Sequence, residues 1–143
     1  MTARLGIAIV TYNSGVLVDP LFASLERHTR LQDIDFAVVD NASADDTVAR
    51  LERWKHSLPT LQILPQATNT GFAEGCNIAI RRLLEQGCDQ ILLLNPDTEV
   101  TAGWLEPLVA ALAQNPTIAA VQPLLCLFEE PELVNSAGNI VHF

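Results

Sequence analysis

The sequence predicts an α/β fold: an open, mostly parallel, doubly wound sheet with helices on both faces. Two observations carry that expectation. Five short apolar runs recur along the chain, Leu5–Val10, Ile34–Val39, Leu61–Leu64, Ile91–Leu94 and Ile118–Val121. They are continuous rather than alternating, as strands covered on both faces must be. Helical patterns lie between them, and strand, helix, strand repeated along one chain gives right-handed crossovers and a parallel sheet.

The first helix is expected to start at Asp19 as N-cap with Pro20 at the first helical position, followed by Leu21, Leu25 and His28 at helical spacing. Ser43 and Asp46 have the spacing of a capping box ahead of Val48, Leu51 and Trp54. The third helix has the cleanest pattern, with Cys76, Ala79, Ile80, Leu83 and Leu84 on one face and Gly87 as the stop. The fourth carries Leu105, Leu108, Val109 and Leu112, with Pro107 marking a kink or the true start. After Pro123 the chain changes character: an acidic turn around Glu129–Glu132 leads into Val134–Phe143, which reads as one more strand or hairpin arm.

A length of 143 residues with 49% hydrophobic residues supports one sizeable core and excludes disorder as the main state. Against 17 Asp and Glu there are 8 Lys and Arg, scattered along the chain, for a net charge of -9. A general nucleic-acid binder needs a basic footprint to neutralise phosphates, so nucleic acid is not an expected partner. Cys76, Cys88 and Cys126 are odd in number, lack a CxxC pair and lie in apolar sequence, which reads as small buried hydrophobes in a reducing cytoplasm. The apolar stretch near the N-terminus is too short for a signal peptide or a membrane span.

In open α/β sheets ligands bind beyond the carboxyl ends of the strands, where the strand order reverses. The residues expected there are Thr11, Tyr12, Asn13 and Ser14 after the first strand, Asp40, Asn41 and Ser43 after the second, Asn69, Gly71 and Gly75 after the third, and Asn95, Pro96 and Asp97 after the fourth. The Asp40 carboxylate can accept a hydrogen bond from a pyrimidine imide or a ribose hydroxyl, or else cap the next helix. Asn69 to Asn77 is a glycine-containing loop opening a helix, a place that suits a phosphate, although it is neither GxGxxG nor a P-loop. Asp97, with Glu99 on the same side if the backbone is extended, offers hard oxygen ligands to Mg²⁺ or Mn²⁺. Tyr12 can stack on a base, whereas Trp54 and Trp104 read as packing anchors. The histidines form no constellation, and no serine lies in a GxSxG elbow.

These segments together resemble the family 2 glycosyltransferases of the GT-A fold, in their N-terminal nucleotide-sugar-binding half and most of all in a rhamnosyltransferase-like branch. The resemblance rests on Ile9–Asn13, on Val39–Ser43 followed by Asp45–Thr47, on Asn69–Asn77, and on Leu93–Thr98. It covers roughly residues 5 to 140. It implies transfer of a sugar, with inversion, from a UDP- or dTDP-linked donor to a hydroxyl of a saccharide or lipid-linked acceptor in cell-surface polysaccharide synthesis. It also implies a cytoplasmic enzyme peripheral to the inner face of the membrane. By resemblance Thr11, Tyr12 and Asp40 contact base and ribose, with Asn13, Asn69, Gly71 and Asn95 completing the nucleotide site. Asn95-Pro96-Asp97 corresponds to the metal-holding DxD, in which Asn95 replaces the first Asp and Asp97 remains, assisted by Glu99, to hold Mg²⁺ or Mn²⁺. The general base belongs to a part of the family beyond the matched region, so no catalytic residue is assigned.

Residues 1–143 are accordingly expected to be one donor-binding domain, truncated, whose residues 124–143 form a loosely packed tail leading to an absent acceptor-binding part. That tail would support a homo-oligomer. The rival readings are a non-catalytic nucleotide-binding remnant or regulatory module, a nucleotidyltransferase, and a receiver-like phosphoacceptor domain. A nucleotidyltransferase would carry a glycine-rich basic loop after the first strand. A receiver would need an acidic pair there and a lysine near its last strand, but Thr11-Tyr12-Asn13 stands in the first place and Lys55 is the sole lysine.

Overall fold

Burial explains which apolar runs become central strands. In the computed structural model, which describes residues 4–137, β1 (Leu5–Thr11) is buried from Gly6 onward and β2 (Ile34–Asp40) along its full length. Strands β3 (Leu61–Pro65) and β4 (Gln90–Leu93) are partly exposed edges. The four pair in parallel in the order β3-β2-β1-β4. This is the predicted parallel sheet, with its topological reversal between β1 and β4. The chain divides into two compact units, Met1–Val100 and Thr101–Phe143.

Alternation along the central strands sends side chains to two faces. On one, Ala8, Val10, Ala37 and Val39 pack with Cys76, Ala79 and Leu83 of α3 (Phe72–Glu85) and with Cys88. Two glycines let α3 approach closely. A Cβ on Gly75 would lie 2.8 Å from Val10 Cγ1, and one on Gly6 would lie 2.8 Å from Leu83 Cδ2. On the other face Phe36 meets Phe22 of α1 (Gly15–His28) at 6.3 Å between ring centroids, and Phe22 stacks at 5.7 Å on Trp54 of α2 (Thr47–Trp54). Asp19 then ties α1 to α2: its carboxylate accepts the Trp54 indole N–H at 2.9 Å and pairs with Arg50. The Trp54 hydrogen bond, followed by the Arg50 partner, holds the Asp19 carboxyl below its ordinary range.

Helix starts are where the expectations need correction. Helix α1 begins at Gly15, not after Asp19, because a neighbouring loop supplies partners for its first amides. Ser14 N–H donates to Thr47 Oγ1 at 2.8 Å and Gly15 N–H to Asp45 Oδ2 at 2.9 Å. Pro20 therefore lies inside the helix. Its missing N–H would have served the carbonyl of Val16, an exposed residue of the first turn. The expected capping box is absent: Asp46 is the N-cap of α2 without a side-chain cap bond, and the Ser43 hydroxyl donates to Asp40 instead. In α3 Leu84 is exposed, and Gly87, at φ 85°, ends the helix as expected.

The second unit holds α4 (Glu106–Gln114), whose start Pro107 marks, and a small antiparallel pair of β5 (Leu125–Cys126) and β6 (Val134–Ser136). Ile118–Val121 is not a strand. Pro116 and Pro123 bracket the run, and its first three residues are exposed; an apolar run of that length does not by itself specify pairing. Val134–Ser136 supplies the start of the expected arm, and its residues 138–143 lie outside the described residues. Cys76 and Cys88 are buried, and burial together with Asp35 pushes the Cys88 thiol up to about 11. Cys126, expected to be buried, is exposed on β5, where a two-residue strand offers no second layer to cover it.

Phe22 is fully buried between both partners, so Phe22→Ala should cost about 3–5 kcal/mol of unfolding free energy in denaturant titrations. The Asp19 tie has a pH signature. A depressed carboxyl contributes stability above its ordinary value and loses it as pH falls through the depressed one. The stability deficit of Asp19→Asn should therefore stay constant above about pH 5 and close as the pH falls below about 4, where the parent carboxyl also becomes neutral.

Candidate functional site

The register of β1 on β2 brings Thr11 directly opposite Asp40 at the carboxyl ends of the two strands. Asp40 is 2% exposed, and its carboxylate is held by three donors from this chain. Oδ1 accepts the hydroxyls of Thr11 (2.9 Å) and Ser43, and Oδ2 accepts the Ser43 amide (3.0 Å). An ionised carboxylate has about four acceptor positions, so one remains on Oδ2. Asp40 thus closes the turn after β2 and does not cap α2, whose N-cap is Asp46; its fourth acceptor position is at the strand end. Thr11, 1% exposed, is committed to Asp40.

The turn that folds Ser43 back onto Asp40 passes through Ala42 at φ 61°. Left-handed backbone costs a non-glycine residue roughly 1–2 kcal/mol, and the Asp40 and Ser43 hydrogen bonds offset it. Asn13, at φ 48°, locks the β1 loop to the same segment. Its amide donates to Ser43 Oγ at 2.9 Å and its Oδ1 accepts the Ala44 amide at 2.8 Å. Tyr12, between these fixed neighbours, is 54% exposed at the sheet edge.

Beyond β4, Asn95, Asp97 and Glu99 are all exposed. The Thr98 hydroxyl donates to the Asn95 carbonyl at 2.7 Å and closes a turn over Pro96 and Asp97. The backbone is therefore not extended at Asp97, and the alternation that was to put Glu99 on its side does not apply. Among the described residues no three His, Cys, Asp or Glu side chains gather around a metal position. What the loop presents is an exposed carboxylate and an exposed amide at a strand end. That donor set suits a hard cation that takes its other oxygens from water and phosphate.

A cleft of about 320 Å³ opens at the reversal between β1 and β4, lined by Val10, Leu17, Phe72, Asn95, Pro96 and Asp97. One wall is apolar, with Phe72 57% exposed at the start of α3, and the other carries the polar pair. A larger cavity of about 520 Å³, which Arg30 and Thr60 help to line, opens away from the carboxyl ends of the strands and contains none of the predicted site residues. Two helices begin near the carboxyl edge. The start of α1 faces Asp45, whose carboxyl is held below its usual range by the Thr47 hydroxyl and the Gly15 amide. A helix end already met by a carboxylate is not available to an anion. The start of α3 follows Gly71 at φ 83°, whose amide is taken by Asn69 Oδ1 at 2.9 Å. Glu74 in its first turn is drawn away to Arg81 at 2.8 Å, which keeps its carboxyl below the usual range.

Sequence reasoning placed Tyr12, Asp40, Asn95 and Asp97 on one edge, and the fold brings them to the carboxyl ends of adjacent strands. It placed Asn41 and Ser43 on that edge without a role at the site, and it missed that Ser43 holds Asp40, that Asn41 holds the Asn69–Gly71 loop, and that Phe72 lines the cleft. A polar residue beside a strand-end Asp, and an aromatic one directly after a loop glycine, were the available signals.

Comparison with known proteins identifies the family and the fold. The model of the family described as Glycosyl transferase family 2 matches residues 6–136. N-acetylglucosaminyl-diphospho-decaprenol L-rhamnosyltransferase of Mycobacterium tuberculosis is 28% identical over 134 residues, 87% of this chain and 42% of the relative. The chain thus spans less than half the length of that relative. Among solved structures, the mannosyltransferase PcManGT from Pyrobaculum calidifontis in complex with GDP-Man and Mn²⁺ superposes with TM-score 0.71 at 23% identity, over 82% of this chain and 34% of that one. S. aureus TarS 1-349 in complex with UDP-GlcNAc gives 0.66 at 19% identity, over 89% and 41%. The fold is that of GT-A glycosyltransferases. A family match running from β1 through β6 makes the chain a member of glycosyl transferase family 2.

Proposed function

We propose that this chain supplies the donor site of a glycosyltransferase that uses a nucleotide-diphospho-sugar. The observation that carries the reading is the cleft at the β1/β4 reversal, lined by Phe72, Asn95 and Asp97, at the carboxyl edge of the sheet that also carries Tyr12 and Asp40, in a family 2 chain. The remaining acceptor position of Asp40 suits the imide N–H of uracil or thymine, and the exposed Tyr12 ring offers a stacking face. The diphosphate lies toward Asn95 and Asp97, beside the open amides at the start of α3. The relatives that bind UDP-GlcNAc and GDP-Man with Mn²⁺ support a nucleotide sugar and a divalent ion.

The residues present fit Mg²⁺ or Mn²⁺ held by Asp97 beside the Asn95 amide, with the other oxygens from water and the diphosphate. Bound there, the ion would neutralise charge on the departing diphosphate. This chain's residues fix the base, orient the ribose and line the reacting end with apolar surface, leaving the anomeric carbon open to attack by an acceptor hydroxyl from the opposite face. Inversion follows from that single displacement. The acceptor is a saccharide or a lipid-linked saccharide, as the rhamnosyltransferase likeness suggests, and the setting is the cytoplasmic side of a membrane. No helix among the described residues is long and apolar enough to cross one. Residues 124–143, which include the exposed Leu124, Phe128 and Leu133, are the proposed homo-oligomer surface. The general base is not assigned to any residue of this chain.

Calorimetric titration with UDP, dTDP and GDP, each with and without Mn²⁺, tests the reading; pyrimidine-selective binding is expected, and no binding of any of them would refute it. Binding with no transfer by the full-length protein would favour the non-catalytic module. Tyr12→Ala removes an exposed ring, so it should leave stability unchanged while weakening the nucleotide roughly 5- to 150-fold, the loss of one stacked base. Asp40→Asn should weaken it roughly ten- to a hundredfold. In the parent, nucleotide and Mn²⁺ should strengthen each other's binding by one common factor. Asp97→Asn should abolish that coupling while leaving metal-free nucleotide affinity intact.

A further inference from the structure

Asn41 follows Asp40 directly and is itself 2% exposed, yet its side chain is not spent on the sheet. Its backbone amide donates to the Thr11 carbonyl at 2.8 Å, extending the β1–β2 ladder by one step. Its side chain reaches in the opposite sense, into the loop before α3. Nδ2 donates to the Gly71 carbonyl at 3.1 Å, and Oδ1 accepts the Thr70 hydroxyl at 3.1 Å and the Thr70 amide at 3.4 Å. A single buried amide therefore joins the exits of β1 and β2 to the start of α3.

The loop it holds is exposed from Asn69 to Ala73 and has little packing of its own. Gly71 has φ 83° and ψ 169°, a region open essentially to glycine alone. Its carbonyl also accepts the Gly75 amide at 3.1 Å, the first bond of the helix. The orientation of that one peptide thus sets both where the first-turn amides of α3 point and where Phe72 sits in the cleft. Gly75 packs against Val10 directly behind it, and a Cβ there would lie 3.3 Å from Asn41 Nδ2. The helix body is fixed by the sheet, and the loop is fixed by Asn41.

We infer that Asn41 is a positioning residue for donor binding: it touches no ligand, and by clamping Thr70 and Gly71 it pre-orders the Asn69–Phe72 wall of the cleft. The inference rests on the donor-site reading and adds a residue to it. Pre-ordering matters because a loop that must be immobilised on binding takes its ordering cost out of the affinity. A residue that merely supported the fold would change stability without changing the affinity of the folded protein.

The test combines calorimetry with UDP and dTDP in the presence of Mn²⁺ and hydrogen exchange of the free protein. Asn41→Ala should weaken the nucleotide roughly tenfold, the worth of one or two hydrogen bonds, and should speed exchange at Thr70–Glu74 while leaving β3 and α2 unchanged. Gly71→Ala, which the backbone angles forbid, should do the same. The double variant should lose little more than either single one, because both release the same loop. Thr70→Val changes an exposed side chain, will fold, and should give a smaller loss of the same kind. Unchanged affinity in folded Asn41→Ala and Thr70→Val, or losses that multiply in the double variant, would overturn the inference. If the parent binds no nucleotide, the donor reading fails, and unchanged exchange at Thr70–Glu74 in Asn41→Ala would then separately refute the clamp.

Discussion

Everything at the candidate site is referred to one pairing, the parallel register of β1 on β2 from Leu5 opposite Ile34 to Thr11 opposite Asp40. Both strands are covered on both faces, so a slip of one residue in β1 would turn Ile7 and Ile9 away from the Phe22 side and Ala8 and Val10 away from α3, breaking both layers at once. The same register ends the two strands level. That puts the Thr11 hydroxyl on the Asp40 carboxylate and the Asn41 amide on the Thr11 carbonyl. The apolar core thereby sets the position of the polar edge.

At that edge the chain consumes much of its own hydrogen-bonding capacity. Asp40 is held by Thr11 and Ser43, the start of α1 by Asp45 and Thr47, and Asn13 by Ser43 and Ala44. The β1 and β2 loops are thus locked to each other before any ligand arrives. Tyr12, Phe72, Asn95 and Asp97 remain exposed, and three of them line or end the cleft at the β1/β4 reversal. An apolar wall facing an amide and a carboxylate suits a ligand that is flat at one end and anionic at the other.

The sheet was legible because its signal is burial, and burial writes itself as continuous apolar runs. Leu5–Val10 and Ile34–Val39 matched β1 and β2 almost to the residue, and α3 followed its periodic face. The failures share a cause. Pro20 and Ser43 obey local capping rules, but partners outside the capping pattern took precedence: Thr47 and Asp45, some thirty residues on, meet the first amides of α1, and Asp40, three residues back, takes the Ser43 hydroxyl. Ile118–Val121 has strand composition without a pairing partner in its own unit. At the site, position after a strand identified Asp40 and Asp97. Which side chains would be spent internally, as Thr11 and Asn13 are, depends on contacts across some thirty residues of sequence, which local pattern does not encode.

The central claim is that the nucleotide diphosphate and its metal sit at the β1/β4 reversal and not in the larger cavity that Arg30 and Thr60 help to line. Paramagnetic broadening by Mn²⁺ added with UDP or dTDP, read on assigned backbone amides, tests it most directly because the effect falls steeply with distance from the ion. Selective broadening at Leu94–Thr98 and Phe72, with Thr29–Leu31 and Ser57–Thr60 left sharp, is the predicted result. Broadening centred on Arg30 and Thr60, or spread without focus over the acidic surface, would contradict the account.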